Sequence, residues 1–164
     1  MQAFAVARHD TDTPDRLRRI LGQAKTIAVF GASPEPWRPS FGVMRYLQRA
    51  GYRVIPVNPT AMGETVHGER FYATLMDVPE PIDLVDVFRR RDTVGEAVDQ
   101  AIAVKAKAIW LQLGIRNDAA CARAEAAGLA VVQNRCISVE HSRLMRCPTS
   151  PGGRGRDGAE APSG

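Results

Sequence analysis

The sequence has few of the residues that build metal centres, disulfide frameworks or membrane spans. Its three cysteines, Cys121, Cys136 and Cys147, stand far apart, and neither a C-x-x-C spacing nor a histidine pair accompanies them. This pattern argues against a zinc site and against a disulfide scaffold. No stretch approaches the roughly 18 apolar residues of a membrane-spanning helix, and the N-terminus lacks a signal-peptide core. We therefore expect a cytoplasmic protein without membrane contacts.

The chain also lacks the charge pattern of a nucleic-acid-binding protein. Its 22 Lys and Arg residues against 18 Asp and Glu residues give a formal charge of +4, but no basic run is interleaved with aromatic residues. We expect no nucleic-acid partner. A mildly basic surface is suited to an anionic small ligand instead.

Short β-branched runs alternate with helical patterns between Thr26 and His141, which is typical of βαβ units around a parallel sheet. The patterns predict strands at 26–30, 53–58, 83–88, 108–113 and 130–134, helices at 14–23, 40–50, 93–104, 117–127 and 139–145, and a small hairpin within 64–72. Together they predict an α/β protein with a Rossmann-like, doubly wound, five-stranded parallel sheet between two helical layers.

The 164 residues suffice for one domain. We predict an N-terminal arm and helix over residues 1–25 and the Rossmann-like domain over 26–146. Residues 147–164 are rich in Pro, Gly and charge, which predicts a disordered tail.

The segment "GASPEPWRPS", residues 31–40, stands where nucleotide-binding folds hold a phosphate, but it lacks a G-x-G-x-x-G fingerprint. The second predicted strand ends in Asn58 and Pro59, where an NAD-binding fold has a carboxylate for the ribose hydroxyls. Without that carboxylate, a ligand with a phosphate on its ribose is not repelled, as in NADP or coenzyme A (CoA). The three prolines stiffen the loop and remove N–H donors. The alternative is a rigid surface turn that binds nothing.

Ligands of an open parallel sheet bind beyond the carboxyl ends of its strands. The residues that follow the predicted strands are unusually rich in arginine, and these are Arg38, Arg89, Arg90, Arg91, Arg116 and Arg135. Guanidinium groups and the amides at a helix N-terminus both suit phosphate oxygens. We therefore expect a phosphorylated ligand, with some of these side chains turned away from it.

Four segments carry a family resemblance: "KTIAVFGASPEPWRPSFGVMRYLQRAGYRVIPVNP", "GERFYATLMDVPEPIDLVDVFRR", "KAIWLQLGIRND" and "AGLAVVQNRCISVEH". In order and spacing they resemble the small stand-alone bacterial CoA-binding proteins, which are similar to the CoA-binding domain of the succinyl-CoA synthetase alpha subunit. The resemblance extends over about residues 24–144. It implies that the ligand is CoA or an acyl-CoA.

The resemblance also implies a set of site residues, one group for each part of CoA. The loop and helix after the first strand would hold the phosphates through Gly31, Ala32, Ser33, Arg38 and Ser40. The loop after the second strand would receive the adenosine at Val57, Asn58 and Pro59. The loops after the third and fourth strands would flank the pantetheine arm with Phe88, Arg89, Arg90, Leu113, Gly114 and Ile115.

No reaction follows from the resemblance. In the synthetases the alpha subunit has a second domain with a phosphohistidine and works with a nucleotide-binding beta subunit, and neither is recognisable in this sequence. We interpret Cys136 as a buried apolar side chain, with a thiol that meets the CoA thiol as the alternative, and His141 as a packing residue rather than a general base. The expected function is CoA binding without catalysis. The alternatives are an NADP-dependent oxidoreductase, or a regulatory or partner subunit that senses acyl-CoA.

Overall fold

The fold is organised around one parallel sheet. The computed structural model describes residues 12–145. The strands are β1 (Thr26–Phe30), β2 (Arg53–Val57), β3 (Thr65–Val66), β4 (Glu69–Arg70), β5 (Leu84–Val87), β6 (Ala108–Leu111) and β7 (Ala130–Val132). Five of them form a parallel sheet in the order β2-β1-β5-β6-β7, and β3 and β4 form the predicted hairpin. The five predicted strands are thus confirmed, four of them ending one or two residues earlier than predicted.

Five helices cover the two faces of this sheet. They are α1 (Pro14–Gln23), α2 (Pro39–Arg49), α3 (Val94–Ala103), α4 (Asp118–Ala126) and α5 (Ile137–Leu144). The buried side chains of α1, α2 and α5 form one core with the sheet, and those of α3 and α4 form a second core on the opposite face. The predicted three-layer, Rossmann-like α/β fold is confirmed.

The strands are apolar throughout because both of their faces are covered. In β1, Ala28 and Phe30 belong to the core with α3 and α4, whereas Ile27 and Val29 belong to the core with α1, α2 and α5. Side chains that alternate across a strand therefore divide one continuous apolar run between two cores.

Side-chain caps place the starts of α1 and α4 where the sequence predicts them. Thr13 accepts a hydrogen bond from the Arg16 amide (3.2 Å), and Asn117 accepts one from the Ala120 amide (3.0 Å). Helix α2 begins at Pro39, one residue earlier than predicted, and α5 begins at Ile137 rather than 139. Proline suits the first helical position because its missing N–H would have no partner there.

The strand order reverses between β1 and β5, where the chain adds β2 on one side of β1 and then crosses to the other side. Gly31 follows β1 at this point with φ of 85° and donates its amide to the Val57 carbonyl (2.8 Å). A Cβ atom at Gly31 would lie 2.9 Å from the Phe88 carbonyl oxygen. Glycine is required here both by the backbone conformation and by the close approach of the loop after β5.

The predicted disordered tail at 147–164, together with Cys147 and His9, lies outside the described residues. The division into an arm, a domain and a tail stays a prediction. No helix within residues 12–145 is both long enough and apolar enough to cross a membrane.

Replacing Gly31 with alanine tests the constraint at the strand-order reversal. Gly31→Ala is expected to lower the free energy of unfolding by about 2–4 kcal/mol, because it combines a strained positive φ with a backbone clash. Gly42→Ala is the matched control, since it lies within α2 with nothing within 4 Å of the added Cβ, and it should stabilise by about 0.5–1 kcal/mol. Urea unfolding of both variants measures the difference. Equal stabilities would contradict the role given to Gly31.

Candidate functional site

A cleft of about 1020 Å³ lies at the carboxyl ends of the strands and spans the strand-order reversal. The predicted site residues that line it are Gly31, Ser33, Arg38, Ser40, Asn58, Phe88, Arg89, Arg90, Leu113 and Ile115. The tertiary structure therefore gathers loops from four different strands into one concavity.

The other predicted site residues, Ala32, Val57, Pro59 and Gly114, do not line the cleft. Ala32 and Val57 are fully buried, one in each core. Pro59 is exposed at the start of a 3-10 turn. Gly114 donates its amide to Asn134 Oδ1 (2.7 Å), which links the loops after β6 and β7. The structure therefore brings ten of the fourteen predicted site residues to the cleft and leaves these four outside its lining.

The loop after β1 offers fewer free amides than its sequence suggests. The Gly31 amide is bound to the Val57 carbonyl, and the Ser33 amide donates to the buried Ser40 hydroxyl (3.0 Å). Within residues 12–145, by contrast, the Ser40 amide in the first turn of α2 makes no hydrogen bond. An unbonded amide at a helix N-terminus, where the helix carries partial positive charge, is chemically suited to an anion.

The arginines divide into two groups. Arg38, Arg89 and Arg90 line the cleft, and Arg91, Arg116 and Arg135 do not. Arg116 pairs with Asp118, and Arg135 binds Asp12 and Glu140, so these two guanidinium groups have carboxylate partners outside the cleft.

Two carboxylates in the cleft were missed by the sequence analysis. Glu35 and Glu64 line it, and Glu35 pairs with Arg38 at 3.5 Å. Because both side chains of this pair are largely exposed, solvent screens the interaction, and an incoming anion can replace Glu35 as the partner of Arg38. The signal was present for Glu35, since it lies three residues before Arg38 in the loop.

Asn58 joins three of the loops that form the cleft. Its Nδ2 donates to the Ala32 carbonyl (2.9 Å), and its Oδ1 accepts hydrogen bonds from the Thr60 amide (3.0 Å) and from Arg89 Nη2 (3.2 Å). The Oδ1 acceptor of this side chain is fully used within the protein, and Nδ2 donates one of its two hydrogens. Asn58 thus connects the loops after β1, β2 and β5 by hydrogen bonds. It does so at the position where NAD-binding folds have an acidic residue.

Asp86 is a fully buried carboxyl in the middle of β5. Gln112 Nε2 donates to its Oδ1 at 2.6 Å, and Oδ2 has no hydrogen-bond partner in the described part of the chain. Burial raises the pKa of Asp86 to about 8, although the hydrogen bond from Gln112 acts in the opposite direction. The carboxyl is therefore largely neutral at pH 7. An aspartate inside the apolar run "LVDVF" was the sequence signal for this site.

Among the cysteines and histidines within residues 12–145, only Cys136 lines the cleft. Its Sγ lies 3.3 Å from Ser138 Oγ at the start of α5, and the residue is half-buried. His141 lies elsewhere: its Nδ1 is 2.8 Å from the Tyr46 hydroxyl, and burial lowers its pKa. His67 contacts the Phe41 carbonyl. Within the described residues, no group of three or more His, Cys, Asp and Glu side chains is placed to hold a metal ion.

The fold and the cleft together define a class of protein: a Rossmann-like domain with a cleft at the strand-order reversal. A family model described as "CoA binding domain" matches residues 25–142. The chain therefore belongs to the CoA-binding domain family, which confirms the resemblance stated from the sequence.

Relatives of similar length share the sequence over most of their chains. The uncharacterized protein YneT of Bacillus subtilis is 35% identical over 126 residues, which are 77% of this chain and 92% of YneT. The structure of a hypothetical protein from Pyrococcus horikoshii superimposes with a TM-score of 0.80 at 42% identity, covering 84% of this chain and 96% of that one.

A much larger protein contains a similar segment. The ADP-forming acetate–CoA ligase II of Archaeoglobus fulgidus is 32% identical over 79 residues, which are 47% of this chain and 11% of the ligase. The similarity therefore concerns one part of that enzyme.

The raised pKa of Asp86 predicts how stability changes with pH. Between the ordinary pKa of 3.8 and about 8, the unfolded chain releases a proton that the folded chain keeps, so the free energy of unfolding falls as pH rises. Below this window both states are protonated, and above it both are ionised. Relative to the non-titrating Asp86→Asn variant, the wild type should lose up to about 1.4 kcal/mol per pH unit within the window. Urea midpoints from pH 4 to 9 measure this, and parallel profiles would contradict it.

Proposed function

We propose that this protein binds CoA or an acyl-CoA in the cleft at the carboxyl ends of its strands. The observation that carries the proposal is the extent of the cleft, which reaches from the loop after β2 to Cys136 after β7. With about 4.8 Å between neighbouring strands, these loops are about 19 Å apart, a distance that suits a long ligand. The cleft volume is also at the upper end of the range typical of small-molecule sites.

In this proposal the ligand's phosphates lie near the start of α2. The Ser40 amide and the side chains of Arg38 and Arg90 supply the positive charge. Arg89 contributes to the same potential while its hydrogen bond to Asn58 keeps it in place. Because Asn58 is neutral, a phosphate on the ribose meets no carboxylate at the end of β2.

The pantetheine arm would follow the loops after β5 and β6. Phe88, Leu113 and Ile115 supply apolar wall there, and Leu113 is 71% exposed. An exposed leucine at a cleft gains burial when a ligand covers it. The family membership supports CoA as the ligand, and nothing in the proposal requires a reaction.

Calorimetric titration with CoA, dephospho-CoA, NAD and NADP tests the proposal. CoA should bind most tightly, and dephospho-CoA more weakly, because the latter lacks the ribose phosphate. An absence of CoA binding, or equal affinity for NAD, would overturn the proposal. Tighter binding of NADP than of CoA would favour the oxidoreductase interpretation instead.

The role of Arg38 can be tested with a closely matched control. Arg38 and Arg116 are both exposed, and each pairs with a nearby carboxylate, at 3.5 and 3.6 Å, but only Arg38 lines the cleft. Arg38→Ala is expected to weaken CoA binding about fivefold, which corresponds to about 1 kcal/mol for an exposed phosphate contact. Arg116→Ala should leave the affinity unchanged. Equal effects of the two substitutions would remove Arg38 from the proposed site.

A further inference from the structure

The buried carboxyl of Asp86 is unfavourable for the stability of the fold. It lies in β5 between Val29 of β1 and Trp110 of β6, and both of these neighbours are fully buried. An apolar side chain would pack here without leaving an oxygen unpartnered, so the aspartate lowers stability. A destabilising residue in a core strand calls for a role that an apolar residue does not perform.

The described residues offer Asp86 one hydrogen-bonding partner, Gln112, which connects it to the cleft. Gln112 is 5% exposed and follows β6 directly, and its side chain is held through Nε2. Gln112 Oε1 has no hydrogen-bond partner within residues 12–145. It differs from Asp86 Oδ2, which also has no partner there, because Oε1 is accessible to solvent and Oδ2 is buried. Gln112 lines the cleft, and its hydrogen bond to Asp86 leaves this oxygen free for a ligand there.

Gln112 lies in the part of the cleft where the pantetheine arm is proposed to bind. Leu113 and Ile115 follow it in the same loop and also line the cleft. The Arg135 amide donates to the Leu111 carbonyl (3.3 Å), which brings the neighbouring Cys136 to the same part of the cleft. A fixed carbonyl oxygen among apolar side chains is an acceptor for a ligand N–H group.

We propose that Gln112 Oε1 accepts a hydrogen bond from a secondary amide N–H of the ligand's pantetheine arm, and that Asp86 is a positioning residue that orients the Gln112 side chain. This inference rests on the proposed function. It identifies a protein partner for the secondary amide, a group that the pantetheine arm contains and the nucleotide part of CoA does not. The bond from Nε2 to Asp86 prevents the side-chain amide from rotating, so less conformational entropy is lost when the ligand binds.

The test compares CoA with its adenosine bisphosphate part, which lacks the pantetheine arm. Calorimetry on the full chain would use Asp86→Leu, which removes the acceptor for Nε2, and Gln112→Met, which removes the amide. Each variant is expected to bind CoA about fivefold to tenfold more weakly, the value of one hydrogen bond, and to bind adenosine bisphosphate as the wild type does. Asp86→Asn keeps an oxygen acceptor for Gln112 and should largely restore CoA affinity.

A double-mutant cycle separates positioning from a general effect on the fold. If Asp86 acts through Gln112, adding Asp86→Leu to Gln112→Met should cause no further loss of CoA affinity. The free energy of unfolding should not fall in Asp86→Leu, because the substitution removes an unpartnered buried oxygen. If Asp86→Leu nevertheless fails to fold, Gln112→Met alone still provides the comparison of the two ligands.

The possible failures are distinguishable. If the wild type binds adenosine bisphosphate and CoA but the variants bind CoA normally, or lose both ligands equally, the role of Gln112 is overturned and the proposed function stands. Additive losses in the cycle would overturn the positioning role of Asp86. If the wild type binds neither ligand, the proposed function fails, and this inference fails with it.

Discussion

The close approach of three strand ends at Gly31 is the constraint on which the rest of the site depends. The Gly31 amide binds the end of β2, and its missing side chain leaves space for the backbone that follows β5. Asn58 then ties the same three loops together through both ends of its amide. With these loops fixed, α2 starts beside them, and the unbonded amide of its second residue, Ser40, lies at the cleft. These contacts position the loops after β1, β2 and β5, whereas the contacts proposed for the pantetheine arm at Gln112, Leu113 and Ile115 come from the loop after β6.

The cleft offers a phosphorylated ligand a neutral amide and cationic side chains, together with two carboxylates. Asn58 is an amide at the position where NAD-binding folds have a carboxylate, and Asp86, which is buried behind Gln112 and does not line the cleft, is kept largely neutral by burial at pH 7. The carboxylate of Glu35 lies at the cleft as well, but it faces a cation that can exchange partners. Glu35 thus has a cationic partner near the proposed phosphate position, and Glu64 lines the cleft in the segment after β2.

Much of the fold could be predicted from the sequence because its signals are local. Apolar runs of the right length predicted all five strands of the sheet, and Thr13 and Asn117 marked helix starts through hydrogen bonds to residues three positions away. The prediction of the site was less complete. Sequence identified arginines after several strands, but it did not distinguish Arg38, which lines the cleft, from Arg116, which pairs with Asp118 outside it.

The sequence by itself determined the parallel α/β architecture, the glycine after β1 and the family, since these depend on periodicity and on the order of motifs along the chain. Only the tertiary structure decided which side chains share the cleft and which of their polar atoms are already used. Ser33 and Ser40 bond to each other across seven positions, and Asp86 reaches Gln112 across 26. Such partners are chosen by the packing of strands and loops in space, and no local pattern of residues encodes that choice.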